Sequence, residues 1–125
     1  MRAAFLVAFM LLFLNSSFAE TIIKEKSRGV DKAFWLTTAV SAASTVADIE
    51  VTAHALQNPN CRERNPLFGT RPSRAKMYSI SMPATTAYSL LGHVLKRHGI
   101  RIWAVPQLSL TAGHTVGAVL SAQCF

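Results

Sequence analysis

Charge is what this sequence has least of. Only 15% of its 125 residues are Asp, Glu, Lys or Arg, while half are apolar; a soluble domain carries roughly 25% charged residues. That shortage points to lipid. Acid is scarcer than base, with six Asp and Glu against thirteen Lys and Arg for a net charge of +7. The bases fall in three polar segments rather than along a stripe interleaved with aromatics, which suits membrane flanks and excludes a nucleic-acid partner. The length allows one domain. No internal repeat, low-complexity tract, alternating strand pattern or hairpin signal occurs. Enzyme templates are missing as well: there is no Gly-x-Ser-x-Gly, no phosphate-cradling glycine loop, no His-x-x-x-His and no His-Glu-x-x-His. Asp48 and Glu50 are two apart and point to different sides of a helix, so they make no acid/base pair.

What is present begins with an export signal. An apolar run over 3–14 follows Met-Arg, and Ser17 and Ala19 supply the small residues of a cut before Glu20. The alternative is an uncleaved signal anchor. Residues 1–19 are thus a signal segment, 20–32 a mixed-charge polar arm, and 33–125 a helical membrane domain with helices at about 33–57, 73–98 and 100–123. The fold class expected is all-α, a small membrane-embedded bundle of three helices. The second helix is uncharged over 77–95, and the third has no Asp, Glu, Lys or Arg after Arg101, so each is long enough to span. The first is interrupted by Asp48, Glu50 and His54. Pro83 and Pro106 are expected to kink the spans they interrupt.

Small and polar side chains recur at steps of three and four. Thr37, Ser41, Ser44, Asp48, Thr52 and Ala55 mark the first helix, Thr86, Ser89 and His93 the second, and Gln107, Thr111, His114, Ala118 and Ser121 the third. Such stripes let helices approach closely in lipid, and Gly113-x-x-x-Gly117 has the spacing of a helix-packing contact. A hydrophilic substrate path is the alternative. Asp48, His93 and His114 each lie on the stripe of a different helix, so a bundle could gather them. Ionisable groups inside a membrane are functional candidates. A carboxylate with two imidazoles could relay a proton or hold a divalent metal, although a structural polar cluster is the more ordinary explanation. His54 and His98 lie near helix ends, where a solvated histidine is ordinary.

The connection CRERNPLFGTRPSR is polar and rich in arginine. Asn58-Pro59-Asn60 stops the first helix, Asn65-Pro66 repeats the stop, Gly69 turns the chain, and Ser73 predicts an N-cap for the second helix. Its arginines suit lipid phosphate. Alternatively, Glu63 and Asn65 close over Asp48 as a polar cap. Asp48-x-x-x-Thr52 followed by Glu63-x-Asn65-Pro66-Leu67 is similar to a pattern in small uncharacterised bacterial membrane proteins, where an intramembrane Asp-x-x-x-Thr precedes a loop Glu-x-Asn-Pro. The resemblance implies that Asp48, Thr52, Glu63, Asn65 and Pro66 act together and brings no activity with it.

Two functions are open. One is a non-enzymatic interaction or assembly component of a bacterial inner membrane, with lipid, a membrane protein or a second copy as partner. The other is a membrane-embedded metal-dependent enzyme or an ion- or proton-handling subunit centred on Asp48, His93 and His114, with Glu63 as a further candidate catalytic residue. No cofactor is implied beyond a possible divalent metal. If the signal is cleaved outside and all three helices span, Cys61 and Cys124 face the cytoplasm. The outer segments then carry seven bases against five in the connection, contrary to the positive-inside tendency. If the first helix lies on the outer face instead, both cysteines are outside, and a disulfide between them is expected.

Overall fold

The computed structural model describes residues 31–63 and 65–124. The signal segment and nearly all of the polar arm lie outside them. Three helices make up the described chain: α1 (Lys32–Ala55), α2 (Arg74–Arg97) and α3 (Val105–Ala122), with no strand among the described residues. The chain is all-α, a three-helix bundle in which α1 packs on both α2 and α3.

Local chemistry sets the helix ends. Asp31 caps α1 by accepting from the Phe34 N–H at 2.9 Å, and Ser73 caps α2 by accepting from the Lys76 N–H at 3.2 Å. At the other end of α2, Gly99 takes a φ of 71° and donates to the Lys96 carbonyl at 2.9 Å, while the Ile100 N–H reaches the Leu95 carbonyl at 3.0 Å. This paired closure needs a left-handed residue, which glycine adopts without strain. Residues 100–104 form turns rather than the first part of a helix. Pro106 therefore falls in the first turn of α3, where its missing N–H has no intrahelical acceptor and no kink is required. Pro83 lies inside α2.

The packing is inverted relative to a bundle made for water. Thr37, Ser41, Thr45 and Thr52 of α1, Ser81, Thr85 and Lys96 of α2, and Gln107 and Thr111 of α3 are all buried. Trp35, Leu36, Val46, Leu90, Leu91, Val94, Val116 and Leu120 are exposed. A small apolar core of Phe34, Trp103 and Ala104 occupies one end only. Ile49, Ala55, Cys61 and Met77 are buried outside that cluster, and between the two groups polar side chains join the helices. Thr45 and Thr85 meet at 2.9 Å, Thr37 donates to Gln107 at 2.7 Å, Gln107 donates to Thr38 at 2.8 Å, and Thr52 and Ser121 meet at 2.9 Å. Each such bond contributes about 0.5–1.5 kcal/mol net. The stripes expected on the first and third helices thus face inward in large part. The stripe on α2 is out of register: Met77, Ser81, Thr85, Gly92 and Lys96 are buried, and Thr86 is exposed.

Putting hydroxyl, amide and charged groups on every helix dilutes its hydropathy. No helix among the described residues is long and apolar enough to cross a membrane. The expectation that the second and third helices each span is therefore not met by either helix taken alone.

The end opposite the apolar core is closed by residues 56–73. Cys61 and Cys124 form a disulfide with their Cα atoms 6.1 Å apart. The Arg71 guanidinium donates to the Asn58 and Pro59 carbonyls at 3.2 and 2.7 Å, and Lys76 donates to the Phe68 carbonyl at 2.8 Å. Arg71, one of the arginines expected to meet lipid phosphate, thus also holds the connection together, with Lys76 beside it.

Candidate functional site: a polar cleft around Asp48 and His114

Asp48 projects from the middle of α1 and His114 from the middle of α3. His114 Nδ1 lies 2.7 Å from Asp48 Oδ2, with the imidazole 13% and the carboxylate 18% exposed. The sequence of α3 makes room for this contact at one position. A Cβ on Gly117 would lie 2.8 Å from Asp48 Oδ1 and 3.0 Å from Oδ2, closer than real Cβ atoms approach. Gly117 is therefore the notch that admits the carboxylate. Gly113 would meet nothing within 4 Å, so within the described chain this pair does not make the helix-to-helix contact its spacing predicts. Gly92 makes a close approach instead, to the turn before α3: its Cβ would stand 2.9 Å from the Trp103 carbonyl oxygen. A lone glycine inside an uncharged helix was the available signal.

The pair lines a cleft of about 500 Å³. Asp48 and Thr52 of α1, Glu63 and Asn65 of the connection, Tyr88 of α2, and Ser109, His114, Gly117 and Ser121 of α3 form its walls, with both cysteines of the disulfide. Four of the five positions singled out by the resemblance thus share one cavity. Pro66 does not line it and sits in the turn after Asn65. Glu63 and Asn65 also build their own loop. The Asn65 N–H donates to Glu63 Oε1 at 2.7 Å, the Leu67 N–H to Asn65 Oδ1 at 3.1 Å, and the Glu63 N–H to the Thr70 carbonyl at 3.1 Å.

His93 is not part of this site. Its ring meets Phe34 edge-on, with centroids 5.5 Å apart, beside the apolar core. The three-residue cluster of Asp48, His93 and His114 does not form, because the inward face of α2 is set by Thr85, Gly92 and Lys96 and carries His93 toward Phe34. Among the described residues no group of three or more His, Cys, Asp or Glu is placed to hold a metal.

Asp48 has one ionic partner among the described residues, and it is His114. The other acids near cations are paired elsewhere: Glu50 with Arg74 at 3.2 Å, and Asp31 with Lys96. Glu50 also accepts from the Tyr78 hydroxyl at 2.9 Å, outside the cleft. Lys96, one of the bases in the polar segments that suit membrane flanks, is 2% exposed and lies 4.1 Å above the centre of a Trp103 ring. Between Thr37 and Thr45, fully buried Ser41 leaves its Oγ without a hydrogen-bond partner among the described residues.

The Asp48 contact fixes the imidazole through Nδ1 and leaves Nε2 for other partners. With neutral histidine the pair carries one negative charge, and with a proton on the ring it is neutral overall. No protein-family model, curated protein or solved structure matches the chain.

Proposed function

We propose that the protein is a membrane-embedded bundle whose working part is the Asp48–His114 cleft, a site that handles protons or ions. The observation that carries this reading is the inverted packing with an acid–imidazole pair inside it. An apolar exterior around a hydroxylated interior suits a solvent that is itself apolar, since lipid gives no reason to bury Leu90 or Val116 and every reason to bury Thr45 and Gln107. The hydropathy of single helices argues against independent spans, so insertion as a packed unit is what the reading requires. A carboxylate and an imidazole retained in such an interior are functional candidates by default, and an ion or proton path is the use they suit. Metal-dependent chemistry has no support in the geometry, because His93 stands apart.

The test uses the exterior. Leu90 is 60% and Val116 58% exposed. On a bundle in water, Leu90→Lys or Val116→Lys changes stability by within about 0.5 kcal/mol; facing the hydrocarbon, each costs about 2.5–3.5 kcal/mol. The wild type is expected to stay in the membrane pellet after alkaline carbonate washing and both variants to lose accumulation there. Wild-type protein in the wash supernatant, with both variants equally stable, overturns the reading.

A further inference from the structure

We infer that the cleft binds a small organic ammonium ion with an apolar body, and that it does so in exchange for the proton on His114. The inference deepens the proposed proton or ion site and rests on that reading. It starts from charge. Asp48 is mostly buried, and among the described residues no lysine or arginine pairs with it. A carboxylate this far withdrawn into a cleft gains from a positive partner, because the surrounding wall replaces part of its water. Two partners can serve. A proton on His114 converts the contact at 2.7 Å into an ion pair. A cation entering the cleft can take the same role, and the imidazole then returns to its neutral form.

The exchange balances. The pair with protonated histidine plus one ammonium ion gives the pair with neutral histidine, the bound ammonium ion and one released proton. No bond other than that N–H is broken and nothing is oxidised. The titratable or charged groups facing the pair do not remove the need. On the cleft wall Glu63 of the connection adds a negative charge and Arg62 of the same segment a positive one, so the two offset each other and leave Asp48 to be balanced, and Tyr88 is the one such group on α2.

The rest of the wall selects an organic cation over a bare metal ion. Ile49, Leu56, Met77, Leu110 and Leu120 contribute apolar surface, and about 500 Å³ is the size of a small-molecule pocket. Hard cations instead require six or more oxygen ligands in a closed shell. Gly113, which has open space beside it, and Gly117, which touches the carboxylate, leave the α3 wall bare next to Asp48.

Three probes share one apolar body and differ in head group: cyclohexylammonium, cyclohexanol and cyclohexanecarboxylate. Titration calorimetry on the full-length oxidised protein in lipid nanodiscs, in two buffers of different ionisation enthalpy, reads affinity and proton release together. Cyclohexylammonium is expected to bind with release of one proton where His114 starts protonated, its affinity rising about tenfold for each unit of pH increase in that range. Asp48→Asn is expected to weaken it at least tenfold. His114→Asn, which leaves the carboxylate in place, keeps binding and loses the proton release. Equal or tighter binding of the carboxylate, no binding of the ammonium ion, or proton release that persists in His114→Asn overturns the inference. NMR titration of the His114 ring separates the two readings: a ring that titrates and responds to Asp48→Asn leaves the proton site standing even when the ammonium ion fails.

Discussion

Alanine at Gly117 tests the notch directly. The new Cβ would be placed 2.8 Å from Asp48 Oδ1, 3.0 Å from Oδ2 and 3.2 Å from Cγ, so the carboxylate must retreat by several tenths of an ångström. Its Oδ2 is the atom that holds His114 at 2.7 Å. Retreat therefore strains the Asp48 rotamer by about 0.5–1.5 kcal/mol and weakens a hydrogen bond to an ionised group worth about 1.5–3 kcal/mol. Against this stands a helix-propensity gain of about 0.8–1 kcal/mol for alanine over glycine. The expected balance for Gly117→Ala is a destabilisation of roughly 1–3 kcal/mol. Gly113→Ala is the control, because nothing lies within 4 Å of its Cβ and only the propensity gain remains. Chemical unfolding of the oxidised protein followed by circular dichroism measures both, and the NMR shifts of the His114 ring report whether the pair has moved. Equal stability of the two variants with an unchanged His114 ring refutes the notch. If both variants instead lose self-association to the same degree, Gly113-x-x-x-Gly117 is a contact between copies and the assembly function gains the support it lacks within one chain.

Two further outcomes follow from other contacts. Gly92→Ala sets a Cβ 2.9 Å from the Trp103 carbonyl, a backbone atom that cannot swing away, so the variant should lose about 1–3 kcal/mol in the same unfolding assay; a neutral result would show that α2 and residues 100–104 are not so closely opposed. Replacing both cysteines with serine should lower stability by about 2–4 kcal/mol and open residues 56–73 to limited proteolysis. An unchanged cleavage pattern would mean that Arg71 and Lys76 suffice to hold that segment.

The all-α class, the Ser73 cap and the Gly69 turn (φ 81°) were legible in the sequence, and Asp48, Thr52, Glu63 and Asn65 of the short pattern line one cleft. These features rest on local chemistry or on a short pattern. The face of α2 was not legible. Periodicity finds a face when apolar and polar residues segregate, and Ser81, Thr85, Thr86 and Ser89 put hydroxyls on more than one side. Lys96 was misplaced for a related reason: a base in the last turn of a helix ordinarily points to water or headgroups. Only the fold brings Asp31 and the Trp103 ring to it. Gly117 was noticed for its spacing, but its purpose depends on a side chain 69 positions earlier, and no local signal reports that.

The disulfide constrains how such a bundle could sit in a bilayer. With three helices, residues 56–73 and the C-terminal end of α3 share one end, while Lys32, Arg97 and Arg101 share the other. A bridge between Cys61 and Cys124 belongs on a side that permits oxidation. For a bundle that crosses with all three helices, the start of α1 then lies on the cytoplasmic side, which also puts the seven bases of the arm and the α2–α3 turn inside and the five of the connection outside, as the positive-inside tendency prefers. An export signal at residues 1–19 delivers the start of α1 to the opposite side. Signal, bridge and three full crossings therefore cannot all hold together. The packing of α1 against both partners leaves little freedom to lay that helix aside as a surface element. The conflict resolves on which side of the membrane residues 20–32 lie. An impermeant maleimide that labels a Thr21→Cys variant in intact cells, with Cys61 and Cys124 still oxidised, places the arm outside and excludes three full crossings; protection of that site until the membrane is opened keeps the bundle spanning and removes the export signal.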